Sequence, residues 1–368
     1  MASGSLGFNR YTKYLWILPM FHCNGWCHTW AVTAGAGTHV CLDRADPAMI
    51  FAAIADRNIT HIACAPVVLY MLLNHPDRSK RDAARKVTVA TGGASPTSAL
   101  IAEMSALGFD LIHLYGLTGS YGPATMRLLS DEERKTPLDE RARLLSRQGT
   151  RHPTASRLHV LDQEGRQVAG DGETVGEICL CGNTLMQGYY RDPSATEHAF
   201  DGGLFHTGDL AVVHPNGDIE IKDRSKDVII SGGENISSLE VESVLHQHPA
   251  VLMAAVVAAP DPKWGEIPVA FIETRAGMSV APDELVAFCR GRMAGFKLSR
   301  RIFFQELPKT TTGKIQKFLL RGIAADGSRC RVEESAMSGA SAEQSSYFDI
   351  VAIDSGPVNP LRPGSCSR

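Results

Sequence analysis

The sequence has no block of like charges, no long apolar run and no ordered spacing of cysteines. Its 37 lysines and arginines stand against 40 aspartates and glutamates, a net charge of −3. Without a basic stripe it lacks the electrostatic footprint that nucleic acid or anionic lipid requires, so no nucleic-acid partner is expected. The apolar run Leu15 to Phe21 is interrupted by Pro19 and is far shorter than the roughly 20 residues that cross a bilayer. It also lacks a small-residue cleavage site, so neither a membrane span nor a secretory leader is expected. The nine cysteines are scattered, and Cys41, Cys64 and Cys289 sit in apolar stretches. That usage suits reduced thiols in an intracellular protein, cytoplasmic or in an organellar matrix.

What the chain does have is bulk. Its 368 residues are 44% hydrophobic and 21% charged, enough for two domains with real cores. From residue 14 to about 130, short β-rich runs alternate with helical patterns, the signature of a parallel sheet covered by helices. Strands are predicted at Tyr14–Leu18, Thr38–Leu42, Thr60–Ala63, Lys86–Ala90 and Asp110–Leu114, with helices at Pro47–Arg57, Val67–Asn74 and Pro96–Leu107. Residues 130–155 read as a polar connector.

The texture then changes. Alternating runs at Ser156–Asp162, Glu177–Cys181, Leu210–Val213 and Ile219–Lys222 predict an antiparallel subdomain, with Asn216-Gly217 favouring a tight hairpin because both residues tolerate positive φ. After Arg224 a small α/β unit is expected, with helices at Ser238–Gln247, Pro282–Met293 and Ile315–Arg321 and strands at Val251–Ala258, Val269–Glu273 and Arg301–Gln305. Beyond Gly322 the composition turns to Ser, Gly, Pro and Ala, and residues 323–368 are expected to be disordered.

The chemistry-bearing residues lie at the ends of these runs. In the loop from Lys309 to Lys314, Gly313 precedes Lys314 on a hydroxyl-rich turn, which can present the lysine as a mobile positive charge; a lone Thr-Gly-Lys is more often only a solvated helix start. Upstream stand Tyr115-Gly116-Leu117-Thr118, His206-Thr207-Gly208-Asp209-Leu210, Lys222-Asp223-Arg224-Ser225-Lys226 and Ser231-Gly232-Gly233-Glu234-Asn235. His22, Cys23, Cys27 and His28 cluster near the start, but their spacing is wrong for a zinc finger and no metal is assigned to them.

Taken together and in this order, the five motifs resemble the acyl-adenylate-forming enzymes, the superfamily of acyl-CoA synthetases, peptide-synthetase adenylation domains and firefly luciferase. Leu18 to Trp26 and Gly232 to Ile236 look most like fatty-acyl-CoA ligases, and the likeness covers about residues 14 to 321. It implies an α/β fold: an incomplete large domain, residues 1–225, with a parallel sheet plus an antiparallel β subdomain, followed by a small mobile α/β domain, residues 226–322.

The implied reaction joins a carboxylic acid to ATP, giving acyl-AMP and pyrophosphate, and then to coenzyme A. Both steps move negative charge onto oxygen, so a mobile lysine is wanted. By resemblance Lys314 serves the first step. Asp209 and Arg224 reach the ribose, Tyr115 and Gly116 meet the adenine, Gly92, Gly93 and Ala94 let the nucleotide lie against the backbone, and Thr118 faces the phosphate. Lys226 marks the hinge, His22 the acyl pocket, and Gly232 and Gly233 the coenzyme A channel.

Two departures follow. The resemblance expects a Ser/Thr/Gly-rich phosphate loop before Tyr14, so the chain reads as starting partway through the large domain. It also expects a magnesium-holding glutamate after Thr118, where Gly119 stands. Adenylation is therefore expected to be weak and acyl transfer to survive better. The competing readings are a non-catalytic remnant that binds AMP or acyl-CoA, and an adenylation domain loading a carrier protein. Acyl chain length and oligomeric state are left open.

Overall fold

Tyr14, Leu15 and Trp16 lie on one short strand and enter different cores, because successive strand side chains point to opposite faces. Leu15 joins Ile62, Val89 and Leu111 on one side of the first sheet, while Tyr14 and Trp16 join Ala90, Ile112 and Leu114 on the other. A computed structural model describes residues 6–326 apart from 95, 156, 311 and 312. The calls that fall on residues 327–368 lie outside the described residues.

The first sheet is built from β1 (Lys13–Trp16), β2 (Thr38–Cys41), β3 (His61–Cys64), β4 (Val87–Thr91), β5 (Phe109–Leu117), β6 (Gly122–Arg127) and β7 (Thr150–Arg151), in the order β2-β1-β3-β4-β5-β6-β7. The pairings among β1 to β5 are parallel and those of β6 and β7 antiparallel. The connecting helix Pro47–Arg57 has the predicted bounds, since Asp46 Oδ1 accepts from the Met49 N–H at 3.1 Å and Asn58 closes the helix at φ +55°. Its buried face is Ile50, Phe51, Ala53 and Ile54, the i, i+3, i+4 stripe of a core-facing helix.

The second sheet is antiparallel: β8 (Arg157–Leu161), β9 (Gly176–Cys181), β10 (Phe205–Val213) and β11 (Ile219–Arg224), in the order β11-β10-β9-β8. Its inner face, with Ile178, Leu180 and Phe205, packs on Tyr115 and Ala124 of the first sheet. A third sheet holds β12 (Ile229–Ser231), β13 (Glu234–Ile236), β14 (Val251–Asp261) and β15 (Gly265–Thr274), and β16 (Arg301–Phe304) runs parallel to β15.

Several expectations need correction. The stretch 130–155 is not a plain connector: it holds the helix Leu138–Leu145, whose Ala142 and Leu145 are buried, and β7. The β10–β11 turn is a three-residue loop closed by the His214 N–H on the Asp218 carbonyl at 2.8 Å, and only Gly217 has positive φ, at +83°. The tight two-residue turn occurs at Gly232-Gly233 instead, at φ +61° and +87° between Ser231 and Glu234. The last helix spans Lys317–Asp326, later and longer than predicted. Cys41 is exposed, whereas Cys64 and Cys289 are buried.

Candidate functional site

The site begins with an irregularity in β10. Against β9 its register jumps between His206 and Leu210, which frees Thr207 and Gly208 to turn, and Gly208 takes φ +73°. Three bonds hold the turn. Thr207 Oγ1 donates to the Ile178 carbonyl at 2.7 Å, the Gly208 N–H donates to Glu177 Oε1 at 2.8 Å, and the Asp209 N–H donates to Thr207 Oγ1 at 3.1 Å.

Asp209 is therefore fixed, and only 4% exposed. Tyr115 Oη donates to its Oδ2 at 2.7 Å, and Arg224 Nε donates to its Oδ1 at 3.0 Å. Burial first, and the Asp209 carboxylate second, hold the Tyr115 hydroxyl well above its ordinary pKa, so it stays a donor. An ion pair on one oxygen and a hydrogen bond on the other offset the cost of burying the carboxylate.

Around it lie strand ends with no room for side chains. A Cβ at Gly92 would stand 2.4 Å from the Leu114 carbonyl oxygen, and one at Gly116 would stand 2.2 Å from that of Gly122. Gly93, at φ +81°, opens onto free space beside the exposed Ala94. Thr118 is exposed and starts a short 3-10 turn. At the next position Gly119 is buried: a Cβ there would meet Phe205 Cζ at 2.8 Å and Met186 Sδ at 3.4 Å.

Lys314 comes from the loop that precedes the last helix, Lys317–Asp326. Its loop closes on itself through the Thr310 N–H on the Lys314 carbonyl and the Gly313 N–H on the Thr310 carbonyl, both 2.8 Å. Gly313, at φ +83°, is pressed on Val67, where a Cβ would come to 2.2 Å from Cγ1. Burial first, then the charge of Arg224, pull the Lys314 ammonium down to about 8, against an upward pull from Asp209. The loop lysine and the Asp209–Arg224 pair thus share one electrostatic neighbourhood. His22 belongs to it too: burial, and after it Lys314, lower its pKa.

Docking of the third sheet on the first is specific. The rings of Tyr70 and His246 stack at 5.4 Å with 21° between planes, and Arg275 Nη1 donates to Asn74 Oδ1 at 2.5 Å. Lys226 lies just after β11, where Arg321 donates to its carbonyl at 3.3 Å and pairs with Asp227. Gly232 and Gly233 sit apart from Asp209, in the third sheet, where a Cβ on Gly232 would meet the Trp264 ring at 2.8 Å.

A cavity of about 190 Å³ opens among Leu6, Trp26, Cys27, His28, Leu114 and Tyr121. Trp26 links it to the nucleotide side, because its Cη2 lies 3.1 Å from where a Gly92 Cβ would be. His28 turns away from Cys27, its Nδ1 meeting Tyr14 Oη at 2.9 Å, while Cys27 Sγ faces the Tyr121 carbonyl. Burial lowers the His28 pKa to about 3. Glu177, which the sequence did not single out, meets His206 of the quoted motif at 2.8 Å; the signal was the cross-strand register of β9 and β10, which is not local.

A family description for AMP-binding enzymes matches residues 2–190, and one for the C-terminal domain of AMP-binding enzymes matches residues 240–314. The chain belongs to the AMP-binding enzyme family. Among its relatives, an acetate–CoA ligase of Humulus lupulus is 46% identical, covering 88% of this chain and 58% of the relative. A peroxisomal acetate/butyrate–CoA ligase of Arabidopsis thaliana is 45% identical, covering 85% and 56%. The chain thus spans a little over half the length of these family members. ATP-bound MatB from Rhodopseudomonas palustris has the same fold at TM-score 0.76 and 26% identity, over 88% of this chain and 62% of that one. An anthranilate CoA ligase holding anthranoyl-AMP matches at TM-score 0.77 and 26% identity, over 88% and 61%.

Proposed function

We propose that this chain carries the nucleotide, hinge and thiol sides of an acid–thiol ligase, which activates a small carboxylic acid as acyl-AMP and passes the acyl group to coenzyme A. The observation that carries the reading is the approach of Lys314 to the Asp209–Arg224 pair. A carboxylate can accept about four hydrogen bonds, and Tyr115 and Arg224 use two at Asp209. The remaining lone pairs suit the two ribose hydroxyls. Gly92, Gly93 and Ala94 give the adenine a flat approach along the backbone beside Tyr115 and Gly116, and Thr118 offers its hydroxyl to the phosphate.

In the first step an acid oxygen attacks the α-phosphorus and the bond to pyrophosphate breaks. Lys314 places one positive charge beside both oxygens as charge builds on them. In the second step the coenzyme A sulfur attacks the acyl carbon, the bond to AMP breaks and the thiol proton leaves to solvent. Between the steps the small unit rotates about Lys226, withdrawing Lys314 and bringing Gly232-Gly233 in to line the thiol channel.

The cavity by Trp26, which His28 lines and the expected His22 does not, supports a small acid. Its volume of about 190 Å³ lies below the roughly 300–1,000 Å³ of pockets for drug-sized ligands. The relatives named for acetate, butyrate and 2-methylpropanoate agree with that size. Peroxisomal relatives favour an organellar matrix among the compartments considered.

At Gly119, where the resemblance expects a magnesium-holding glutamate, the residues present do not fit the ion. Gly119 offers no carboxylate, and Phe205 and Met186 occupy the space a side chain would need. The reading that follows is weak adenylation and better-preserved acyl transfer. Pyrophosphate release with a panel of short acids, run beside thioester formation from supplied acyl-AMP and coenzyme A, tests it; ATP turnover equal to that of a relative, or no thioester from acyl-AMP, overturns it.

A further inference from the structure

Four metal-ligating side chains share the outer face of the second sheet. Cys179 on β9 is directly opposite His206 on β10 and directly opposite His159 on β8. Glu177 lies two residues before Cys179 on β9 and therefore on the same face. The alternate residues Leu158, Val160, Ile178, Leu180 and Phe205 fill the inner core, which puts the polar set outward.

Three of the four already converge. The donor atoms of Glu177, Cys179 and His206 lie within 4.8 Å of one another. His206 Nδ1 is 2.8 Å from Glu177 Oε2 and 3.5 Å from Cys179 Sγ. In a tetrahedral zinc site with bonds of about 2.0–2.3 Å, neighbouring donors are about 3.5 Å apart, so the cation needs a sub-ångström widening of the Glu177–His206 contact. His159 is one cross-strand step away, about 4.5–5.5 Å between Cβ atoms, within reach of a rotamer change. Glu177 and His206 are each about one-third exposed, at 29% and 34% of their side chains, so the set is open to solvent. Cys179 lies buried beneath them.

We propose that Glu177, Cys179 and His206, with His159 as fourth ligand, form a site for a borderline-soft divalent cation of the Zn²⁺ class. Imidazole, thiolate and carboxylate together suit zinc and exclude a preference for the hard, all-oxygen cations. Binding transfers the Cys179 thiol proton to solvent and takes Glu177 Oε2 from His206, leaving Oε1 on the Gly208 N–H. The site adjoins the turn that fixes Asp209, because Glu177 Oε1 accepts from the Gly208 N–H, but none of its four ligands is assigned to the nucleotide, so cation binding is read independently of ligase activity.

The test uses the full chain in chelator-free buffer with Zn²⁺ or Cd²⁺ alone. One equivalent of Zn²⁺ is expected to bind, weakened at least about tenfold in Cys179→Ser, His206→Gln and His159→Gln, and Cd²⁺ should raise a thiolate-to-metal ultraviolet band that Cys179→Ser removes. The Cd²⁺ band in the unmodified chain does not depend on any variant folding. Its absence, or Zn²⁺ binding that all three variants retain at full strength, overturns the proposal; retention by His159→Gln alone overturns the four-ligand set.

Discussion

Arg224 donates from Nε to Asp209 Oδ1 at 3.0 Å across the first rung of the β10–β11 ladder. The pair joins the last residue of the second sheet to a turn that the irregular β10 register sets up, and Tyr115 completes it from the first sheet at 2.7 Å. Three separate segments therefore fix one carboxylate.

Asp209→Ala should cost both stability and nucleotide. It strands the buried Tyr115 hydroxyl and the Arg224 guanidinium, and an unsatisfied buried group costs about 1–3 kcal/mol. A drop in melting temperature together with at least a tenfold loss of AMP affinity by calorimetry is the expected result. Unchanged AMP binding would remove Asp209 from the ribose site.

Lys314→Ala should separate the two half-reactions. Losing one preorganised charge donor lowers acyl-AMP formation by about 10²–10³-fold, whereas thioester formation from supplied acyl-AMP should change only a few-fold. Equal losses in both assays would contradict the assignment.

The same lysine sets a pH dependence. Burial and Arg224 lower its pKa from 10.5 to about 8, so its folded charge is lost as pH rises through about 8. Lys314-dependent adenylation in the unliganded-enzyme regime, read as kcat/KM, should fall above that pH, and Lys314→Arg should flatten the profile because guanidinium keeps its charge. A profile identical in both proteins would rule the lysine out as the titrating group.

How much of this was legible in the sequence differs by element. Pro47–Arg57 was read to the residue because Asp46, Pro47 and Asn58 all signal its ends locally. The helix Leu138–Leu145 was missed because its apolar stripe is narrow and is crowded by Arg141, Arg143 and Glu140. The fold brings the motif residues Tyr115, Asp209 and Arg224 together, but their mutual hydrogen bonds depend on a bulge and on packing between sheets. No local pattern encodes either. The His159–Cys179–His206 row is invisible for the same reason: three strands had to be placed in register first.

Placing a carboxylate at position 119 should not be simple. A side chain at Gly119 has to displace Phe205, which is 2% exposed and lies tilted against Phe200 with ring centroids 5.2 Å apart. Overpacking a filled core costs about 1–3 kcal/mol, so Gly119→Glu should lower the melting temperature without restoring magnesium-dependent pyrophosphate release. Recovery of that activity at unchanged stability would show that the space exists.

The most direct measurement compares the two half-reactions on one preparation of the chain. With supplied butyryl-AMP and coenzyme A, thioester should form; with butyrate, ATP and Mg²⁺, pyrophosphate release should be slower than thioester formation by at least about tenfold. Thioester formation that is absent while pyrophosphate is released rapidly would contradict the assignment of Asp209, Arg224 and the small unit to a bound acyl adenylate, and with it the account given for Gly119.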